Sequence, residues 1–275
     1  MKRFFQVALL AALLLTTTAV GQEYLVPFAP RAATACLGDG ANFPGDNTNY
    51  AYVEVFNDPA GLEFSETGDW SVIAFARREV NTDEHNITSQ HGGGGTNRQM
   101  TFHIDNGANA DIQVNQTGTN VVTGSGAIAV NTWYVVAVAH DTDDADVDMD
   151  SWIYAATDCS TAAATDTGTS KTDSTGTPTD DVVIGAKDVE GTLSDNFDGD
   201  LAYVVYLDGT TIVTADVEAF CNDACAQIAT WGTAAKFALE LDGDFTDSSG
   251  NTNDGTKQTG GTGDITFNTS GGPYD

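Results

Sequence analysis

A chain of 275 residues can form one large β-sandwich or two small domains, and it is long enough to bury a substantial core. Lys and Arg number 10 against 40 Asp and Glu, a formal charge of −30, so nucleic acid and anionic membranes are excluded as attractive partners. The acid is scattered and mostly Asp in turn-like contexts, which marks a solvated surface suited to high salt rather than a disordered tail.

The chain opens with the features of an export signal. Lys2-Arg3 precedes an apolar run over residues 4–15, and Ala19-Val20-Gly21 supplies small residues before an expected cleavage at Gln22. The run falls short of the roughly 20 residues that span a bilayer, and no later stretch is longer. Residues 1–21 are therefore expected to be removed, leaving a secreted or cell-surface protein that spans no membrane. Residues 22–35 hold two prolines and no period, and read as an N-terminal arm. The domain is expected to begin at Cys36.

Residues 37–49 form a loop rich in Gly, Asp and Asn. Residues 50–56 (YAYVEVF) alternate, with Tyr52, Glu54 and Phe56 on one face and Ala51, Val53 and Val55 on the other. After the turn cluster at 57–61, residues 70–77 (WSVIAFAR) make a β-prone strand, placing Trp70, Val72, Ala74 and Ala76 on one face. Residues 85–98 include four consecutive glycines and read as a mobile loop. That run lacks the Gly-Lys-Ser/Thr ending of a phosphate cradle. Residues 100–104 and 110–115 form a hairpin about Asp105-Asn106-Gly107.

Short strands follow at 121–123 and 127–130. Residues 133–140 are the most apolar strand and the central one, paired with 150–156 across the acid-rich turn 141–148. Residues 157–179, rich in Ser, Thr, Gly and Asp, read as a long loop or ragged edge hairpin. Strands at 182–185 and 201–207 complete the sandwich, and a helix-like segment starts at Thr214. The tail, 227–275, carries strands at 237–241 and 264–267 around a polar loop, and is expected to pack on the domain 36–226. Short strands separated by turn chemistry argue for an all-β antiparallel sandwich.

Four cysteines in an exported chain favour disulfides over metal thiolates. Cys221 and Cys225 stand one helical turn apart and could bridge if the helix frays, leaving Cys36 and Cys159 to pair across the fold. Three pairings are possible and the sequence does not choose among them. His85, His91, His103 and His140 show neither ligand nor triad spacing. Asn86-Ile87-Thr88, Asn115-Gln116-Thr117 and Asn268-Thr269-Ser270 are glycosylation acceptors where the host modifies them.

Five phrases in order carry a resemblance to the concanavalin A-like superfamily, specifically its laminin-G-like jelly rolls. They are Tyr52-Val53-Glu54-Val55; residues 70–75 (WSVIAF); residues 133–138 (WYVVAV); Ile184-Gly185; and Phe197-Asp198-Gly199-Asp200-Leu201 with the helix-like stretch 214–220. The resemblance covers about 36–226 and implies a jelly roll. Many members of that superfamily bind calcium, with an acidic side chain near the last strand. Here the corresponding position is Ala202, a departure from the family pattern. Asp39, Asp46, Asp198 and Asp200 are the residues left to supply turn oxygens to a hard cation. The runs 141–150 (DTDDADVDMD) and Asp242-Gly243-Asp244 with Asp247 are further acidic turns, and neither has the EF-hand pattern.

Glycosidases of the superfamily carry Glu-x-Asp-x-x-Glu on one strand, which seats two carboxylates about 5–5.5 Å apart. No such phrase occurs, and Glu63-Phe64-Ser65-Glu66 has the wrong spacing. The chain is therefore not expected to be an enzyme. The resemblance implies a secreted, non-catalytic module of lectin type for glycans or cell-surface polysaccharides, with Tyr50, Tyr52, Trp152 and Trp231 as candidate platforms. The rival expectation is a structural protein that self-assembles as a homo-oligomeric surface layer, filament or virion decoration.

Overall fold

The computed structural model describes residues 39–45, 49–55, 62, 64, 68–91, 99–106, 110–116, 119–142, 148–169, 181–189, 192–268 and 271–274. They belong to a compact unit, Cys36–Asp275. The expected signal and arm lie outside the described residues.

The strands, in chain order, begin with β1 (Ala41–Phe43), β2 (Tyr50–Val55), β3 (Trp70–Arg78), β4 (His85–His91), β5 (Gln99–Ile104) and β6 (Ala110–Gln116). Next come β7 (Thr119–Ile128), β8 (Tyr134–Asp141), β9 (Asp148–Ala155), β10 (Ala164–Thr169), β11 (Val182–Ile184), β12 (Lys187–Val189) and β13 (Thr192–Ser194). Strand β14 (Gly199–Asp208) leads into helices α1 (Thr214–Asn222) and α2 (Ala224–Trp231), and β15 (Ala235–Leu239), β16 (Gly255–Gly260) and β17 (Thr266–Phe267) follow. One sheet runs β10-β9-β8-β3-β14-β1-β17, with β15 also paired to β14; the other runs β16-β2-β11-β4-β5-β6-β7. The pairings between these strands are antiparallel, and the fold is a jelly-roll sandwich.

The alternation read from the sequence sorts the side chains between layers. Ala51, Val53 and Val55 from β2 meet Trp70, Val72, Ala74 and Ala76 from β3 in the core between the sheets. Ile73 and Phe75, the intervening residues of β3, face away into a second core. That core is closed by Val217, Phe220 and Cys221 of α1 and by Ala224 and Ile228 of α2. The first sheet is thus buried on both faces, which explains the unbroken apolar runs of β3, β8 and β14.

Local chemistry holds the helices in place. Asp216 accepts from the Val213 N–H at 3.0 Å at the start of α1, and Asp223 Oδ1 accepts from the Ala226 N–H at 3.1 Å at the start of α2. Near the C-terminus, Tyr274 accepts from the Ala224 N–H at 2.9 Å and donates to the Phe220 carbonyl at 3.2 Å. Its ring lies 5.3 Å from that of Phe75. The strands after Cys225 enter both sheets: β15 pairs with β14, β17 with β1, and β16 with β2.

Two expectations change. Residues 85–91 form β4, an inner strand of the second sheet, instead of a mobile loop; the glycine run beyond it lies outside the described residues. The stretch is polar because one of its faces is buried by hydrogen bonding instead of by apolar packing. Residues 164–169 form an edge strand on β9, the edge hairpin of the two readings of this stretch. The cysteines pair differently as well. A helix break at Asp223 puts Cys221 in α1 and Cys225 in α2, and Cys221 bridges to Cys159, 62 residues away in sequence. The expected partnership of Cys36 lies outside the described residues.

A loop of that length predicts that replacing Cys159 and Cys221 together by Ser lowers unfolding free energy by roughly 2–4 kcal/mol. Denaturant unfolding at neutral pH measures it, and an unchanged midpoint and slope would show that the bridge contributes nothing.

Candidate functional site

Both faces of the first sheet are covered, and on the second sheet the outward residues Asn86, Ser89, Thr101, His103 and Val183 are buried as well, which leaves β2 and β16 with partly exposed outward residues. On β2, Tyr50, Tyr52 and Glu54 point outward and are half-buried. The Tyr50 and Tyr52 rings stack at 6.4 Å between centroids and 30° between planes. Register places Gly260, Gln258 and Thr256 of β16 beside Tyr50, Tyr52 and Glu54. Gln258 donates to Glu54 Oε2 at 2.9 Å. Gly260 is required here, since a Cβ at that position would lie 2.2 Å from the Tyr50 ring. The result is an aromatic pair flanked by an amide and a carboxylate, an arrangement that can stack on a flat apolar ring face while hydrogen bonding to its polar rim.

The other aromatic candidates lie elsewhere. Trp152 is buried in the second core with Nε1 donating to Thr214 Oγ1 at 3.1 Å. Trp231 packs on Phe220 at 5.8 Å.

The same row continues on β4 and β5. Asn86 sits opposite His103, and Ser89 opposite Thr101. Hairpin β12–β13 folds over this ground as the chain leaves β11. The departure happens at Gly185, whose φ of +82° and contact with the Phe43 ring exclude a side chain. Ser89 Oγ donates to the Ala186 carbonyl at 2.9 Å, and Asn86 Nδ2 donates to the Asp195 carbonyl at 2.8 Å. Asn86 is fully buried, so its glycosylation triplet is closed in the folded chain. Asn268 is likewise engaged, through Nδ2, with Asp200.

Two buried histidines are held neutral. His85 Nδ1 accepts from the Asp198 N–H at 3.2 Å, which leaves the proton on Nε2 to be donated to the Val80 carbonyl at 3.1 Å. Burial, with the nearby Arg78 charge, lowers its pKa to about 4. Burial also lowers His103 to about 4, reinforced by Lys187. His140 stacks on Trp70 at 5.4 Å and is lowered by burial too.

Of the four acidic residues expected at a metal, three are described, and Asp198 packs beside Gly45, the neighbour of Asp46 in sequence. Asp200 is buried against Arg77, whose Nε donates to Oδ2 at 2.5 Å and whose Nη2 contacts the same oxygen. Its Oδ1 accepts from Asn268 at 2.7 Å and from Asn42 at 3.2 Å. A guanidinium and two amides thus occupy the lone pairs that a cation would need. Asp198 contributes its backbone N–H to His85, while half-buried Asp39 lies near Asp242. Asp46 and residues 143–147 of the 141–150 run lie outside the described residues. Asp247 is a peg for the tail: Oδ1 accepts from the Ala238 and Ser249 N–H groups, and Oδ2 from the Asn253 N–H and Ser249 Oγ. Among the described residues no three His, Cys, Asp or Glu side chains gather as metal ligands.

No family model matches the sequence, and no curated protein matches it. Solved structures do. A candidate carbohydrate-binding protein from Bacteroides ovatus aligns at a TM-score of 0.52 and 16% identity, covering 84% of this chain and 60% of that one. The heptameric SAP-like pentraxin of Limulus polyphemus aligns at 0.51 and 15%, covering 68% of this chain and 84% of that one. The CBM40 domain of the Ruminococcus gnavus IT-sialidase, bound to α2,3-sialyllactose, gives 0.47 and 15% identity over 66% of this chain and 96% of that one. The chain spans about 60% of the Bacteroides protein's length. The fold shared with the first two is the concanavalin A-like jelly roll. Among the described residues no helix is long and apolar enough to cross a membrane.

Two outcomes follow from this geometry. Arg77→Met strands the Asp200 carboxylate and is expected to cost about 3–5 kcal/mol, with at least half recovered in the Arg77→Met/Asp200→Asn double variant. Equal losses in single and double variants would show that the ion pair is not what stabilises this contact. The second outcome concerns pH. The folded pKa values of His85 and His103 lie below the ordinary 6.5, so each contributes stability at neutral pH that is lost as pH falls toward about 4. Imidazole nitrogen NMR shifts of His85 should show the neutral Nε2–H form at pH 5, whereas a midpoint near 6.5 would contradict the assigned hydrogen bonds.

Proposed function

We propose that the protein is a secreted, non-catalytic carbohydrate-binding module that holds a glycan on the outer face of its second sheet. The observation that carries this reading is the half-buried, stacked Tyr50–Tyr52 pair beside Glu54 and Gln258 on the outer side of β2. Carbohydrate rings present an apolar face edged by hydroxyls, and stacked phenols beside a carboxylate and an amide complement both. Fold alone supports the reading only weakly, because one jelly roll serves many functions. The Bacteroides candidate carbohydrate-binding protein is among the structures it aligns with at a TM-score above 0.5, and this adds support.

Non-catalytic status belongs to the same proposal. The described residues facing outward from β2, β4, β5, β11 and β16 include one carboxylate, Glu54, where glycoside hydrolysis calls for two. Export is supported by the Lys2-Arg3 and apolar start and by the Cys159–Cys221 bridge, which persists in oxidising compartments. Binding requires no calcium in this proposal, since Arg77 neutralises Asp200.

Affinity electrophoresis of the folded chain through gels of neutral polysaccharide, with EDTA present, tests the proposal. Retardation is expected for the native chain. Tyr50→Ala and Tyr52→Ala should each weaken binding by about tenfold, with little loss of stability because both rings are half-exposed. A defined oligomer in light scattering that ignores every polysaccharide would favour the self-assembling alternative instead.

A further inference from the structure

Three buried polar side chains on one face of the second sheet each leave one atom without a hydrogen-bond partner, Asn86 Oδ1, Thr101 Oγ1 and His103 Nδ1, while Thr88 Oγ1 of β4 and Asn196 Oδ1 are also unpartnered. All three residues are 0–2% exposed. They share the outer face, since their neighbours Ile87, Met100, Phe102 and Ile104 fill the inner core.

What these atoms want is set by their bonds. Gln113 Nε2 donates to Asp105 Oδ2 at 3.0 Å, which turns the Gln113 carbonyl oxygen toward His103. The imidazole is neutral, so His103 donates from Nε2 and leaves Nδ1 as a bare lone pair. Asn86 spends Nδ2 on the Asp195 carbonyl and leaves Oδ1, an acceptor. The Thr101 hydroxyl can act either way. Around them stand Glu84, Asp105 and Asp195 against one cation, Lys187, which is itself bridged to Asp195 at 3.3 Å. The ground therefore accepts hydrogen bonds and sits in a negative field.

We infer that the Asn86–Thr101–His103 cluster is a second glycan subsite, selective for uncharged, hydroxyl-rich sugar rings and closed to sugar carboxylates. The inference rests on the carbohydrate-binding reading above. Asn86 and His103 continue the row that holds Tyr52, through Gly185, whose N–H donates to the Ile87 carbonyl at 3.0 Å. Strands β2 and β5 stand three spacings apart, about 14 Å, which a short oligosaccharide laid across the strands can bridge. Sugar hydroxyls donate to the stranded acceptors and restore the hydrogen bonds that burial denies them. A uronate or sialate carboxylate brings only acceptors and a charge that the field repels. Hairpin β12–β13 must lift from β4 to admit the ring, breaking the Asn86–Asp195 and Ser89–Ala186 bonds.

Calorimetry of the folded chain with cellohexaose, xylohexaose, mannohexaose and laminarihexaose, against trigalacturonate and sialyllactose, tests this directly. Thr101→Val is the informative variant: it keeps the shape, removes an unsatisfied hydroxyl and should melt no lower than the native chain. The expected result is binding of at least one neutral hexaose and neither acidic sugar. Thr101→Val should then weaken that binding by about five- to tenfold, and hydrogen exchange in β12 and β13 should change on binding. Acidic sugars binding as tightly as neutral ones would overturn the selectivity. Sensitivity to Tyr52→Ala with none to Thr101→Val, and unaltered exchange in the hairpin, would overturn the second subsite and leave the tyrosine platform standing. Failure of the native chain to bind any of the six sugars would overturn the carbohydrate reading itself.

Discussion

Burial of β14 along nearly its whole length is the constraint from which the rest of the molecule follows. Nine of its ten residues are buried, and it is hydrogen-bonded to β3 on one side and to β1 and β15 on the other. A strand in that position must be apolar on both faces, and both faces must be covered. The sandwich core covers one; α1, α2 and the Tyr274 ring cover the other. The strand accommodates the two coverings with a bulge, where Tyr203 adopts a φ of +51° and turns into the second core. A bulky residue in the left-handed region is costly, of order 1–3 kcal/mol, and persists because the surroundings determine it. Here Phe75, Phe220 and Tyr274 surround the Tyr203 ring. With one sheet sealed, the partly exposed outward strand residues are those of β2 and β16 in the other.

The large acid content has a structural use that composition alone conceals. Asp200 and Asp247 are both buried, yet neither awaits a cation. Asp200 is matched to a guanidinium and two amides, and Asp247 accepts from three backbone N–H groups and a hydroxyl. A carboxylate satisfied by backbone N–H groups fixes a loop as firmly as a metal fixes its ligands. Asp247 does so for the Ser248–Asn253 turn, where Asn251 and Asn253 add bonds to the carbonyls of Ala235 and Lys236. Such aspartates are indistinguishable from ion ligands in a sequence, because both uses favour Asp in turns with Gly, Ser and Asn.

Periodicity made the layers legible. The alternation of residues 50–55 separates Tyr50, Tyr52 and Glu54 from Ala51, Val53 and Val55 as the structure does, and Trp70 to Ala76 divide between two cores. Asn-Gly chemistry placed the turn between β5 and β6. Strand β4 stayed hidden because HNITSQH has no apolar alternation: Gln90 faces inward and is satisfied by the Leu62 carbonyl and the Phe64 N–H, while Asn86 and Ser89 bond to the hairpin. The Cys159–Cys221 pairing was illegible for another reason. It depends on α1 crossing the outer face of β8 and β9, a long-range placement that no local spacing encodes. Of the candidate platforms, only relative burial separates Tyr50 and Tyr52 from Trp152, and burial is a property of the whole fold.

That difference between fold and site explains why the polar row on β4 and β5 is tolerated at all. Each buried polar atom left without a partner costs about 1–3 kcal/mol, and a sheet built for stability alone would carry Val where Thr101 stands. The sandwich has ample apolar burial to absorb this, with a continuous core drawn from both sheets. Thr88 Oγ1 and Asn196 Oδ1 are stranded as well, but three of the atoms are grouped. Asn86, Thr101 and His103 fall on one face of two adjacent strands, beneath a hairpin fastened there by two hydrogen bonds. Apolar burial keeps the second sheet folded from its inner side, so its outer side is free to hold hydrogen-bonding capacity unspent. A polar ligand laid across that side gains bonds that water and the protein interior do not already supply.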